Sequence, residues 1–285
     1  MIDYADWIGN QETIKDLVTA GSLAGMGAVL DRDDCAPQIG DILPPLWHWM
    51  YFSPKARQSK LGPDGHPERG DFLPPVTLPR RMFAGSQYRF HEPLRIGDNI
   101  TRQGKIGDVI TKQGRSGELV FVKVNYVISS QRGVAFEEDH DIVYRGEARD
   151  SAKAADKPAP NENDKNANAL WRTTIVPDPV LLFRYSALTF NGHRIHYDRS
   201  YAMDVEGYPG LVVHGPLIAT LLLELLHEHQ GERPLASFQF RAKQPLFDIN
   251  PFELIGGLEQ DDTTFWLQAL DAQGHVAMEA GGTFA

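Results

Sequence analysis

Residues 216–230, P-L-I-A-T-L-L-L-E-L-L-H-E-H-Q, constrain the fold of this chain more than any other stretch. Pro216 opens the segment and Gly231 stops it, the usual punctuation of a helix. Its first three turns carry Leu217, Ile218, Ala219, Leu221, Leu222, Leu223, Leu225 and Leu226. A helix apolar nearly all round must be covered on most of its sides. Four strand-like segments follow at once, 235–242, 251–257, 264–270 and 276–283, with turn residues between them. A helix that needs cover, followed by a run of antiparallel strands, predicts a sheet wrapped around the helix.

The rest of the chain falls into two parts. Residues 151–169 contain no large apolar side chain and read as a linker. Before it, 12–30 carries a helix-like apolar period broken by Gly21, Gly25 and Gly27, and 38–52 is rich in Pro and aromatics. Residues 53–75 form a Pro/Gly-rich loop too long to be a simple connection and are expected to act as a lid or pocket wall. From Ser86 the pattern becomes strand-like, with 88–90, 101–111, 119–129 and 133–145 as strands. After the linker come a short strand at 171–175, a helix near 180–185 and a short helix at 201–205. Each half thus reads as a helix near its start and then a run of strands. The expected fold class is α+β, a double hotdog: a degenerate N-terminal hotdog domain at 1–150, a linker at 151–169 and a catalytic hotdog domain at 170–285.

Composition removes several classes of function. With a net charge of −10, the chain lacks the clustered Lys and Arg that a nucleic-acid or anionic-membrane partner requires. The single cysteine, Cys35, excludes an intramolecular disulfide framework and argues against a Cys-based metal site. The N-terminus has no basic start and no apolar signal core, and no stretch approaches the roughly 20 apolar residues that span a bilayer. A cytoplasmic protein is expected. Neither of the usual glycine-rich nucleotide loops is present.

Chemistry concentrates in 189–198, T-F-N-G-H-R-I-H-Y-D, followed by 208–215, Y-P-G-L-V-V-H-G, which runs into the buried helix. His196 is the leading acid/base candidate, because an imidazole exchanges protons near neutral pH. Asn191 can hold and orient a water but cannot take its proton; standing before Gly192, it equally suits a turn. His193 and Asp198 are candidates for orienting or charge-tuning His196, and solvated loop positions serve them as well. Gly215 precedes Pro216, which has no N–H, so its amide is the one left at the helix start for a substrate oxygen. Taken alone, Gly215 reads as a packing glycine and His214 as a buried structural histidine. His193, His196 and Asp198 lack the downstream partners of a metal site, and no metal is expected.

These segments, together with L-P-R-R-M-F-A-G at 78–85 and F-H-E-P-L-R-I-G at 90–97, resemble the MaoC-type (R)-specific enoyl-CoA hydratases and hydroxyacyl-thioester dehydratases. Within them the chain is most similar to the type 2 dehydratase branch, which includes hydratases of mesaconyl-CoA (the C4 thioester) and itaconyl-CoA. The broader family carries D-x-N-P-x-H. Laid onto this chain, its Asp becomes Asn191, its Asn His193, its Pro Arg194, and its His is His196. The resemblance implies reversible addition of water across an α,β-unsaturated acyl-CoA, with His196 as principal acid/base, Asn191 positioning the water and Gly215 as the thioester-binding glycine. It implies no metal and no redox cofactor, CoA being part of the substrate. A dicarboxylic acyl group calls for an arginine, and Arg80, Arg81 and Arg194 are candidate substrate contacts, with Tyr201 beside them. The expected activity is hydration of a short, branched dicarboxylic enoyl-CoA to citramalyl-CoA. Two rivals stand beside it: a hotdog acyl-CoA thioesterase, and an acyl-CoA-binding module made inert by Asn191. A homo-oligomer is compatible with either.

Overall fold

The computed structural model describes residues 3–33, 36–114, 117–146 and 164–285. Ten strands form one antiparallel sheet, in the order β1-β3-β4-β5-β2-β7-β10-β9-β8-β6. The first half supplies β1 (Gln11–Leu17), β2 (Arg80–Phe90), β3 (Asn99–Gly114), β4 (Gly117–Ser130) and β5 (Gly133–Arg145). The second supplies β6 (Trp171–Ile175), β7 (Leu235–Ala242), β8 (Phe252–Leu258), β9 (Thr264–Leu270) and β10 (Val276–Phe284). Read outward from each free edge, the two orders are 1-3-4-5-2 and 6-8-9-10-7, the same topology twice. The copies join edge to edge where β2 pairs with β7, from Gly85↔Arg241 to Arg89↔Ser237. The expected double hotdog is the fold observed, and most strands lie within a few residues of their predicted bounds.

The helices are α1 (Ala20–Val29), one turn at α2 (Asp164–Ala167), α3 (Pro179–Leu188) and α4 (Gly215–Gln230). Helix α4 is buried as its sequence predicts, through Leu217, Ile218, Leu222, Leu223, Leu225 and Leu226. One hydrophobic core runs through both halves, from Leu23, Met26, Trp47 and Tyr88 to Leu217, Leu222, Phe238 and Phe265. Glu224 on α4 is gripped by the first half: Arg32 Nε donates to it at 2.7 Å and Trp47 Nε1 at 3.3 Å. No helix among the described residues is long and apolar enough to cross a membrane.

Two expectations need correction. The segment at 12–30 is not one helix, since β1 occupies its first part and only Ala20–Val29 is helical. Leu17, which lent the helical period, is an exposed residue of an edge strand. Nor does the first half contain a long helix of its own among the described residues. Its place in the topology, between α1 and β2, is held by irregular chain with short 3-10 turns at Trp47–Met50 and Gln58–Lys60. Cys35 and most of the predicted linker lie outside the described residues.

Candidate active site

Helix α3 ends in a Schellman cap. Asn191 N–H reaches Ser186 O at 2.8 Å and Phe190 N–H reaches Ala187 O at 3.4 Å, with Phe190 in the left-handed region at φ 51°. This cap turns the chain so that Asn191 starts the polar motif beside the helix it leaves. Asn191 Oδ1 then accepts the His193 amide at 3.0 Å, an Asx turn, and Arg194–His196 form a single 3-10 turn. One acceptor position of Asn191 is therefore already engaged by its own backbone. The motif is tied to the segment ahead of α4 by two bonds. Val212 N–H donates to Ile195 O at 3.0 Å, and His196 Nδ1 lies 2.7 Å from Val212 O.

The second bond fixes the chemistry of His196. A carbonyl can only accept, so Nδ1 carries the proton and Nε2 is left with a lone pair. Burial pushes the His196 imidazole down to about 4, against the raising effect of the Val212 carbonyl and assisted by the charge of His66. His196 is therefore a neutral base at physiological pH. Its ring stacks on His214 at 3.7 Å between centroids, and His193 stands edge-on at 5.4 Å. His214 is fully buried and lies with Nε2 2.8 Å from Ser186 Oγ. Burial, then the charges of His196 and His193, hold it well below the usual histidine range. Burial, then the charges of His66 and His196, bring His193 down to about 2.

His214 also precedes the first residue of α4 and makes no side-chain cap there, so the positive end of that helix is not met by a capping side chain. A Cβ built on Gly215 would meet nothing nearer than Met278 Cε at 4.0 Å. Packing within the protein does not demand a glycine there. The bare amide leaves open room at the helix start.

The other sequence candidates sit further out. Asp198 does not reach His196; it accepts from Arg194 Nη2 at 2.7 Å and from the Tyr201 amide at 3.0 Å. Arg194 is spent on that pair, lies over the Tyr201 ring at 4.2 Å and donates to Pro63 O. Arg80 is paired with Glu206 at 3.2 Å, and the Tyr201 hydroxyl also reaches Glu206. Arg81 differs: among the described residues its guanidinium forms no hydrogen bond or ion pair. Its charge is felt at both His66 and His193.

Sequence reasoning missed two residues here. The loop expected to be a pocket wall brings Asp64 and His66 from the first half against the motif, with the His66 ring 4.2 Å from that of His193. Asp64 O accepts the Arg194 amide at 2.9 Å. A Cβ on Gly65, at φ +89°, would fall 1.9 Å from Gly192 O, so this contact of backbone on backbone requires glycine. The signal, D-G-H in a Pro/Gly-rich loop, exists in the sequence, but nothing local says that it docks on residues 128 positions away (64 to 192). Asp64, His66 and His193 also present ligand atoms within 4.8 Å of one another, an arrangement that could hold a divalent cation.

The fold, with the family and relatives that the chain matches, defines an acyl-thioester hydratase or dehydratase of hotdog type. The family described as hydroxyacyl-thioester dehydratase type 2 matches residues 46–248, and the chain belongs to it. Among curated relatives, the mesaconyl-C(4)-CoA hydratase of Chloroflexus aurantiacus is 48% identical over 98% of this chain and 96% of its own. The mitochondrial hydroxyacyl-thioester dehydratase type 2 of Schizosaccharomyces pombe is 29% identical over 74% of this chain and 77% of its own. Among solved structures, a MaoC-like dehydratase superposes with a TM-score of 0.71 at 13% identity, covering 99% of this chain and 100% of that one. A Mycobacterium tuberculosis protein described as a double hotdog gives 0.62 at 12% identity, covering 99% and 98%. At such identities these two structures speak for the fold alone.

Proposed function

We propose that the protein adds water reversibly across the double bond of a short, branched dicarboxylic enoyl-CoA, with mesaconyl-C(4)-CoA as the preferred substrate and itaconyl-CoA the runner-up, each giving a citramalyl-CoA. The observation that carries the mechanism is His196, buried with Nδ1 committed to Val212 and Nε2 free. The close likeness to a mesaconyl-C(4)-CoA hydratase over almost the whole chain supports the substrate.

In this reading the thioester carbonyl lies at the uncapped start of α4, where the Gly215 amide receives the charge that develops on its oxygen. His196 Nε2 takes a proton from water as the oxygen attacks C3, and returns it to C2 as the enolate collapses, so that the thioester gains one water. Asn191, with Oδ1 already holding His193, steadies that water through its Nδ2. The distal carboxylate meets Arg81, because Arg80 and Arg194 are held by Glu206 and Asp198. The reaction draws on no metal or redox cofactor, and we assign it to the cytoplasm.

His196→Ala tests this. It is expected to lower the turnover of mesaconyl-C(4)-CoA by roughly 100- to 10,000-fold, the range for losing a general acid/base. Turnover near that of the wild type would exclude the mechanism.

A further inference from the structure

The loop and the motif meet at a group of side chains that the proposed chemistry does not use. Asp64 and His66 come from the first half and His193 from the second, and their ligand atoms all lie within 4.8 Å of one another. Among the described residues no other three His, Cys, Asp or Glu side chains come together in this way. Asp64 Oδ2 is 3.0 Å from His66 Nδ1, and the His66 and His193 rings are 4.2 Å apart between centroids. His193 is only 9% exposed, yet among the described residues neither nitrogen of its ring has a hydrogen-bond partner; Asn191 holds its backbone amide alone. An imidazole so nearly buried costs free energy unless something meets its nitrogens. The group is held together from outside itself. Gly65 packs backbone to backbone on Gly192, and the Arg194 amide donates to Asp64 O at 2.9 Å.

We propose that Asp64, His66 and His193 form a binding site for a divalent ion of the zinc class, which ties the Pro/Gly-rich loop of the first half to the motif of the second. Two imidazoles and a carboxylate suit zinc, whereas magnesium and calcium take oxygen ligands. Around a tetrahedral zinc with bonds of about 2.0–2.1 Å, ligand atoms stand about 3.3–3.4 Å apart. Asp64 and His66 are already close to that separation, and the 4.8 Å bound leaves at most about 1.5 Å for His193 to close. The proton on His66 Nδ1, which now joins the ring to Asp64, leaves for solvent as the ion takes its place. With three protein ligands, one position stays open to water. The charge of Asp64 lies inside the ligand set, while the opposing charge of Arg81 reaches the two histidines from outside it. The set that sequence spacing offers, His193, His196 and Asp198, is not the one gathered, because Asp198 is turned to Arg194. The ion takes no part in the hydration proposed above, and the inference stands apart from that reading.

The test titrates zinc, magnesium and calcium into the full chain in competition with a chromogenic chelator, for the wild type and for His66→Gln, His193→Gln and Asp64→Asn. The wild type should bind one zinc per chain and neither of the other ions. At about 100 times Kd of free zinc, its Tm should rise by roughly 5 °C. Each substitution should weaken zinc binding by more than the roughly 10- to 100-fold that an outer-shell partner costs. His140→Gln, beside the buried Glu138, should leave it unchanged. If the variants fail to fold, X-ray absorption of the zinc-loaded wild type carries the test alone, and should show nitrogen and oxygen ligands at about 2.0–2.1 Å with two imidazoles among them. A wild type that binds no zinc, binding that survives all three substitutions, or a spectrum with fewer than two imidazoles would overturn the inference and leave the hydratase reading intact. Zinc bound as expected by a protein that hydrates no enoyl-CoA would uphold the inference and overturn that reading alone.

Discussion

The two halves share one strand order but treat the space inside the sheet differently. The second half fills it with α4, whose start meets three buried imidazoles, His193, His196 and His214. Among the described residues the first half has no long helix of its own, and it buries a carboxylate instead. Glu138 accepts from Ser86 Oγ at 2.7 Å and Tyr88 OH at 2.9 Å, with His140 Nδ1 at 2.9 Å and His48 Nε2 at 3.7 Å. Burial alone would raise Glu138, but the hydrogen bonds and charges of His140 and His48 hold it well below the usual range. The irregular chain that replaces the helix is free to leave the sheet, and it is this chain that carries Asp64 and His66 to the other half. A duplicated fold can keep the long helix in one copy only; the segment that takes its place in the other copy can then reach across to the first.

The sharpest way to break this partnership is Gly65→Ala, which forces a methyl group into Gly192 O. Displacing the loop by about 1 Å should cost on the order of 100-fold in kcat/KM, read by steady-state kinetics, with the core of both halves intact by circular dichroism. Next is Arg81→Met, which separates substrate binding from proton transfer. Losing a hydrogen bond to a charged group costs about 1.5–3 kcal/mol, so KM for mesaconyl-C(4)-CoA should rise roughly 10- to 100-fold. Crotonyl-CoA, which has no second carboxylate, should be affected little.

The smallest effect distinguishes the halves by pH. Histidines of the second half titrate below their ordinary 6.5, His196 at about 4 and His193 at about 2, so below pH 6.5 the unfolded chain binds protons that the folded one refuses. Their contribution is fully present above pH 6.5 and is lost as pH falls, by up to about 1.4 kcal/mol per unit and per histidine. Glu138 is depressed from 4.5, and its contribution starts to be lost only near that pH. Urea unfolding between pH 7 and 5 should therefore weaken wild type more than a His193→Gln, His196→Gln double variant, and a Glu138→Gln variant should keep the wild-type slope.

Much of this was legible because the second half obeys local rules. A largely apolar helix with Pro and Gly at its ends and evenly spaced strands read true, and Trp171–Ile175, Leu235–Ala242 and Thr264–Leu270 fall where the pattern predicts. The end of α3 was harder, because Phe190 takes the left-handed position that sequence reasoning reserves for glycine. Residues 12–17 misled because an edge strand with an outward-facing Leu17 mimics a helical period. In the motif, the pattern brought out His193, His196 and His214, and the structure gathers them. It also drew in Asp198 and Arg194, which pair with each other at the rim. Asp64 and His66 stayed hidden because their place depends on a docking between distant segments that leaves no local trace.

The most direct measurement is to incubate the purified protein with crotonyl-, mesaconyl-C(4)-, itaconyl- and longer linear enoyl-CoAs and read the products by mass. The account predicts a gain of one water on mesaconyl-C(4)-CoA, exceeding that on crotonyl-CoA. Release of free CoA thiol, or no change in any thioester, would contradict it.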